Sequence, residues 1–213
     1  MTNTRLGKIS AWAGIIAPVI FVLVFMVEGF LRPGYDPLSM YISALSLGPR
    51  GWIQIVNFLV LGFLLFVFTL GLSREIPSGK ASRGGIICLY TLSALFFISG
   101  PFVMDPADTP STQLSVHGFI HGLSGGIVFL LMPVTIFVFL RRIWTDVDWK
   151  SIKYWSLILF IIEALGVIVF TYVSKIPTET NMSVNWLGLF QRIALIPYML
   201  WQLVFSIAFL RNN

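Results

Sequence analysis

Apolar residues in this chain gather into six stretches of roughly twenty residues, separated by short polar connections. They run at about 9–31, 52–73, 86–104, 114–140, 154–173 and 186–210. At about 1.5 Å of rise per residue, each stretch is long enough to cross a hydrocarbon core of about 30 Å. Backbone inside lipid must satisfy its own polar groups, so stretches this long are helices. The period-two alternation of a membrane β-barrel is absent. The pattern predicts an all-α, polytopic membrane bundle of six transmembrane helices, forming a single transmembrane domain over residues 1–213. Pro18, Pro101, Pro133 and Pro197 fall inside the stretches and predict kinks.

Composition fits a lipid-facing molecule. The chain of 213 residues is 57% hydrophobic and 11% charged, with a mean hydropathy of +0.88, whereas a soluble domain carries about 25% charged residues. The net charge of +5 is scattered between the stretches, so the implied partners are membrane lipids and not nucleic acid; a protein partner is not indicated either way. Cys88 is the single cysteine, which excludes an intrachain disulfide. Arg5 and Lys8 precede the first stretch as in a signal peptide. However, Ile9–Leu31 is longer than a signal's apolar core and no small-residue cleavage site follows, so it reads as an uncleaved span. Ten Lys and Arg lie on the side of the termini and three on the other, with Arg192 inside the last stretch. The positive-inside rule then puts both termini in the cytoplasm of a cell membrane.

The outer connections carry the candidate chemistry. After the first stretch comes RPGYDPLSMYISALSLGPRG. Asp36 and Pro37 are start signals and Gly48 a stop signal, which predicts a short amphipathic outer helix. Its Ser39, Ser43 and Ser46 would share one face. It would lie at the membrane interface or fold back as a lid over a polar cavity. The third connection holds Asp105 and Asp108 and leads into His117 and His121, four residues apart and so stacked on one helical face. Gln113 and Ser124 extend that stripe. Gly118, Gly122 and Gly126 form the next stripe, where small residues predict close packing against a neighbour.

Glu28 and Arg192 lie within outer halves of spans. Ionisable groups there are costly and are candidate functional groups. Glu28 also sits one turn from Arg32, and Arg192 is expected to pair with Asp105 or Glu28 close to His117. Glu163 falls near the middle of the fifth stretch, as a hydrogen-bonded structural carboxyl or a proton-coupling group. Asn181-Met182-Ser183 matches a glycosylation acceptor triplet.

The segments YDPLSMYISALSLG, FVMDPADTPSTQLSVHGFIHG and GLFQRI resemble a large prokaryotic family of six-helix membrane proteins catalogued as domain of unknown function 998. The resemblance covers most of the chain. It implies that Ser46-Leu47-Gly48, Asp105, His117 and Arg192 are the recurrent positions; it implies no activity. From the residues themselves the first functional reading is a binding protein. Glu28, Asp36, Ser43, Asp105, Asp108, His117, His121 and Arg192 would line an outer polar pocket for a lipid headgroup or small amphiphile. An acidic, histidine-bearing pocket suits an amine, a cation or a hydroxylated lipid. The second reading is a metal-dependent membrane hydrolase, with His117, His121 and Asp105 holding zinc. This is similar to the seven-helix alkaline ceramidase and adiponectin-receptor superfamily, although this chain has six spans and no third histidine. The third is a proton-coupled transporter using Glu163 and Arg192, and the fourth a structural partner of another membrane protein.

Overall fold

The structure is a computed structural model that describes residues 5–76, 79–175 and 186–212. Among these residues six α-helices follow one another: α1 (Arg5–Leu31), α2 (Gly51–Glu75), α3 (Lys80–Ile98), α4 (Val116–Thr145), α5 (Lys153–Val173) and α6 (Leu187–Arg211). Among the described residues there is no strand. All but α3 are long and apolar enough to cross a membrane. The chain is a multi-pass membrane protein. Side chains such as Phe30, Ile87, Leu130 and Ile168 point outward, as lipid solvent permits.

Each predicted stretch falls on one of these helices, with one shift. The third was expected at 86–104, but α3 begins at Lys80 and ends at Ile98. Its polar first turn is still helical, while Gly100-Pro101 lies in the turn that follows. Pro101 therefore kinks nothing; Pro18, Pro133 and Pro197 do lie inside helices.

The helices form a ring in chain order. α1 packs on α2 and α6, α2 on α3, α3 on α4, and α5 on α6; the α4–α5 seam is the loosest. Backbones meet closely where glycine allows it. A Cβ on Gly62 would lie 2.6 Å from the Ser93 carbonyl, so α2 and α3 touch there. The core is aromatic, and at the end of the bundle that carries the termini Trp149 stacks on Phe205 at 4.6 Å. This is called the near end below, and the end of the α1–α2 and α3–α4 connections the far end.

Candidate functional site

At the far end the α1–α2 connection is helical over less of its length than its cap signals predict. Residues 37–40 form a turn and only Ile42–Ser46 is helical, as a short 3₁₀ segment. Asp36 does cap the turn: its carboxylate accepts from the Leu38 N–H at 3.0 Å and from the Ser39 hydroxyl at 2.6 Å. These bonds, the Ser39 hydroxyl first, hold the exposed carboxyl below its usual range. Gly48 adopts φ +73°, which suits glycine and ends the segment.

The connection stops being helical because its carbonyls are used elsewhere. Arg192, buried on α6, donates from Nη1 to the carbonyls of Pro37 (2.7 Å), Met40 (3.3 Å) and Gly188 (2.9 Å). Its Nη2 donates to the Tyr35 hydroxyl at 2.7 Å. That hydroxyl donates in turn to the Tyr41 carbonyl at 3.0 Å. Burial raises the Tyr35 phenol above its ordinary value despite the adjoining guanidinium, so it keeps the proton it donates. The Leu189 N–H donates to the Leu38 carbonyl, and the Ile42 N–H to Gln191 Oε1 at 2.7 Å. Gly188 lies against the same loop: a Cβ there would be 2.6 Å from the Pro37 carbonyl. Leu189, Gln191 and Arg192 thus fasten the loop across the start of α6.

This corrects the expected pairing of Arg192. The side chain does turn inward, but carbonyl and phenol oxygens receive it instead of a carboxylate. Glu28 is engaged otherwise. It pairs with Arg32 at 3.4 Å and with Arg50, whose Nη2 makes the closer contact. Arg32 also donates to the Leu47 carbonyl at 3.0 Å. Arg50 is therefore more than a loop residue, since it and Arg32 hold the other end of the connection against α1.

Asp105 and Ser115 start α4. The carboxylate accepts from the Ser115 N–H and hydroxyl, each at 2.8 Å, and the same hydroxyl accepts from the Gly118 N–H at 2.9 Å. A negative charge at a helix N-terminus is favourable. Asp108 is exposed in the preceding turn. His117 is exposed and lies against the Phe102 ring at 5.2 Å. His121 is buried, and its Nδ1 bonds the Phe102 carbonyl at 2.7 Å. Among the described residues no three His, Cys, Asp or Glu side chains gather to hold a metal ion. Asp105 is spent on the helix cap and the two histidines face different surroundings, so the residues do not fit a zinc centre.

The glycine stripe also divides. Gly118 packs against the Asp105 carboxylate, but a Cβ at Gly122 or Gly126 would meet nothing within 4 Å. Instead of a packed face they leave a cavity of about 620 Å³ between the far halves of α4 and α5. Phe129 and Phe170, 4.7 Å apart, are among its apolar walls. Tyr41 and Ser43 of the α1–α2 connection also line it, so the connection covers the cavity from the loop side. His121, Gln191, Thr171, Ser174 and Lys175 supply further polar groups. A smaller chamber of about 50 Å³ shares Ser43, His121, Gly125, Phe129 and Gln191, and reaches inward to Ser99 and Leu195.

Of the sequence-predicted site residues, Ser43 and His121 line the cavity. Glu28, Asp36, Asp105, Asp108, His117 and Arg192 do not; most of them hold the loops that surround it. Gln191 and Lys175 were missed, although a glutamine beside Arg192 in an apolar stretch is a visible signal. The Asn181 triplet and Glu179 lie outside the described residues.

No curated protein and no solved structure matches this chain. The family model described as "Protein of unknown function (DUF998)" matches residues 15–208, nearly the whole bundle and both fastened loops. The chain therefore belongs to the DUF998 family.

Proposed function

We propose that the protein binds a membrane amphiphile in the far-end cavity, admitting it from the bilayer through the α4–α5 seam. One observation carries this reading: a cavity of about 620 Å³ with apolar walls and polar groups, set at the loosest seam of the ring. That volume lies in the range of small-molecule sites, about 300–1,000 Å³. The walls Leu123, Ile127 and Leu130 are also exposed on the outer surface of α4, so an acyl chain can pass from lipid to cavity without crossing a polar barrier.

The lining narrows the headgroup. It contains no acidic side chain among the described residues, and its one charged member is Lys175. A cationic amine is therefore disfavoured, and a hydroxylated or anionic head fits. Ser43 and Gln191 offer hydrogen bonds to it. His121 gives its Nδ1 proton to Phe102, so in the neutral ring Nε2 is an acceptor. Native mass spectrometry of protein released from its own membranes should retain an amphiphile adduct. Bare protein under conditions that preserve lipid on other membrane proteins would count against the reading.

The ten-to-three bias of Lys and Arg supports a far end that faces away from the cytoplasm of a cell membrane. A Lys175→Cys variant should then react with an impermeant maleimide from outside intact cells, and Lys150→Cys should not. The reverse pattern would invert the orientation.

A further inference from the structure

Glu163 takes no part in the cavity. It is fully buried on α5, and neither carboxylate oxygen has a hydrogen-bond partner. Beside it on α6 is Tyr198, which is within electrostatic reach of Glu163 and of Cys88, and whose hydroxyl is likewise unpartnered. Tyr198, Gln202 and Ser206 recur at four-residue steps, so they share one face of α6 at about 6 Å per step toward the near end. All three are fully buried. Gln202 Nε2 donates to Ser206 Oγ at 3.0 Å, while its Oε1 has no partner. Ser206 lies against the α1 backbone at Gly14. One turn nearer the end, Ser10 is fully buried with an unpartnered hydroxyl.

Five orphaned polar atoms therefore run from mid-depth to within about 8 Å of the start of α1. The buried hydroxyls of Thr69 and Thr135 behave differently: each returns a 2.7 Å bond to its own helix. Orphans in hydrocarbon are costly unless ordered water or a proton satisfies them. In the other direction the α5–α6 seam is closed. One turn toward the far end, a Cβ on Gly166 would be 2.9 Å from the Ile193 carbonyl, so α5 and α6 are in backbone contact between Glu163 and the cavity.

Glu163 makes no ion pair among the described residues. The charged groups of the neighbouring helices are elsewhere: Lys153 over the Trp144 and Tyr154 rings, Arg142 on Asp146, Arg211 at the end of α6, and Arg192 under the loop. Tyr198 is within electrostatic reach of Glu163, and Cys88 is within reach of Tyr198.

We propose that Glu163 is a proton-binding site at mid-depth of the membrane, loaded from the near end through a file of water and the side chains of Ser10, Ser206, Gln202 and Tyr198. The proton comes from bulk water at the near end and returns the same way. The inference does not rest on the amphiphile reading.

Infrared spectroscopy of the full chain in lipid vesicles at neutral pH tests it. The wild type should show the carbonyl stretch of a protonated carboxylic acid, lost in Glu163→Gln, which keeps the shape of the side chain. On transfer to D2O the band should shift, and Gln202→Met should slow that shift about tenfold, as one lost relay hydrogen bond raises the barrier. Ser43→Ala, at the cavity, should leave the rate unchanged. Identical wild-type and Glu163→Gln spectra would show an ionised carboxylate and overturn the proposal. So would exchange slowed by Ser43→Ala and not by Gln202→Met, because the proton would then enter from the cavity.

Discussion

Arg192→Ala should be among the most damaging single substitutions in the chain, lowering stability by about 3–5 kcal/mol. The guanidinium makes four hydrogen bonds of 3.3 Å or less to three carbonyls and a phenol. Bonds to a charged group contribute about 1.5–3 kcal/mol each, and acceptors left buried add a penalty. These contributions are not additive, so the expected loss is smaller than their sum. Its charge also lies over two rings, with Cζ 5.8 Å from the Phe25 ring centre and 5.9 Å from that of Tyr35. Arg192→Lys should restore little, because an ammonium cannot reach Tyr35 and the loop carbonyls from one planar fork. Thermal unfolding in detergent measures both variants. An alanine variant melting with the wild type would mean that the loop is not fastened through this residue.

The pair Gly122→Leu and Gly126→Leu is expected to do the opposite: stability kept, amphiphile lost. Neither glycine has a positive φ, and a Cβ at either meets open space. Replacing helical glycine with leucine should even favour the helix, by about 0.5–1 kcal/mol per site. Both positions line the cavity, so two isobutyl groups would project into it and obstruct the space an acyl chain needs. The double variant should melt no lower than the wild type and carry no adduct in native mass spectrometry. Gly118→Leu, on the same stripe, should instead unfold more readily, since its side chain would displace the Asp105 carboxylate that starts α4. A double variant that aggregates, or that keeps its adduct, would show that this face is packed or that the ligand sits elsewhere.

The contrast between those glycines marks what a sequence can say here. The helices were legible because hydrocarbon forces long apolar runs into helix, and hydropathy needs no tertiary information. The partner of Glu28 was half legible: Arg32 is one turn away, but Arg50 arrives from the far end of the connection, just before the next helix. GxxxG spacing records that side chains are small, not whether a neighbour or a space lies opposite; Gly118 has the first and Gly122 the second. Arg192 was expected on a carboxylate because only side chains are visible in a sequence. Its actual acceptors are mostly main-chain carbonyls, gathered by a loop that gives up its own helix to supply them. The acidic residues at this end likewise suggested an acidic pocket, whereas the carboxylates of Asp36, Asp105 and Glu28 are engaged in capping and ion pairs around one that is not.

The most direct test of the central claim is a structure of the protein in nanodiscs of its native lipids. Elongated density is expected between the far halves of α4 and α5. Its polar end should lie within hydrogen-bonding distance of Ser43, His121 or Gln191, and its chain should leave past Leu123 and Ile127. An α4 closed onto α5 across Gly122 and Gly126, with no space between them, would contradict it.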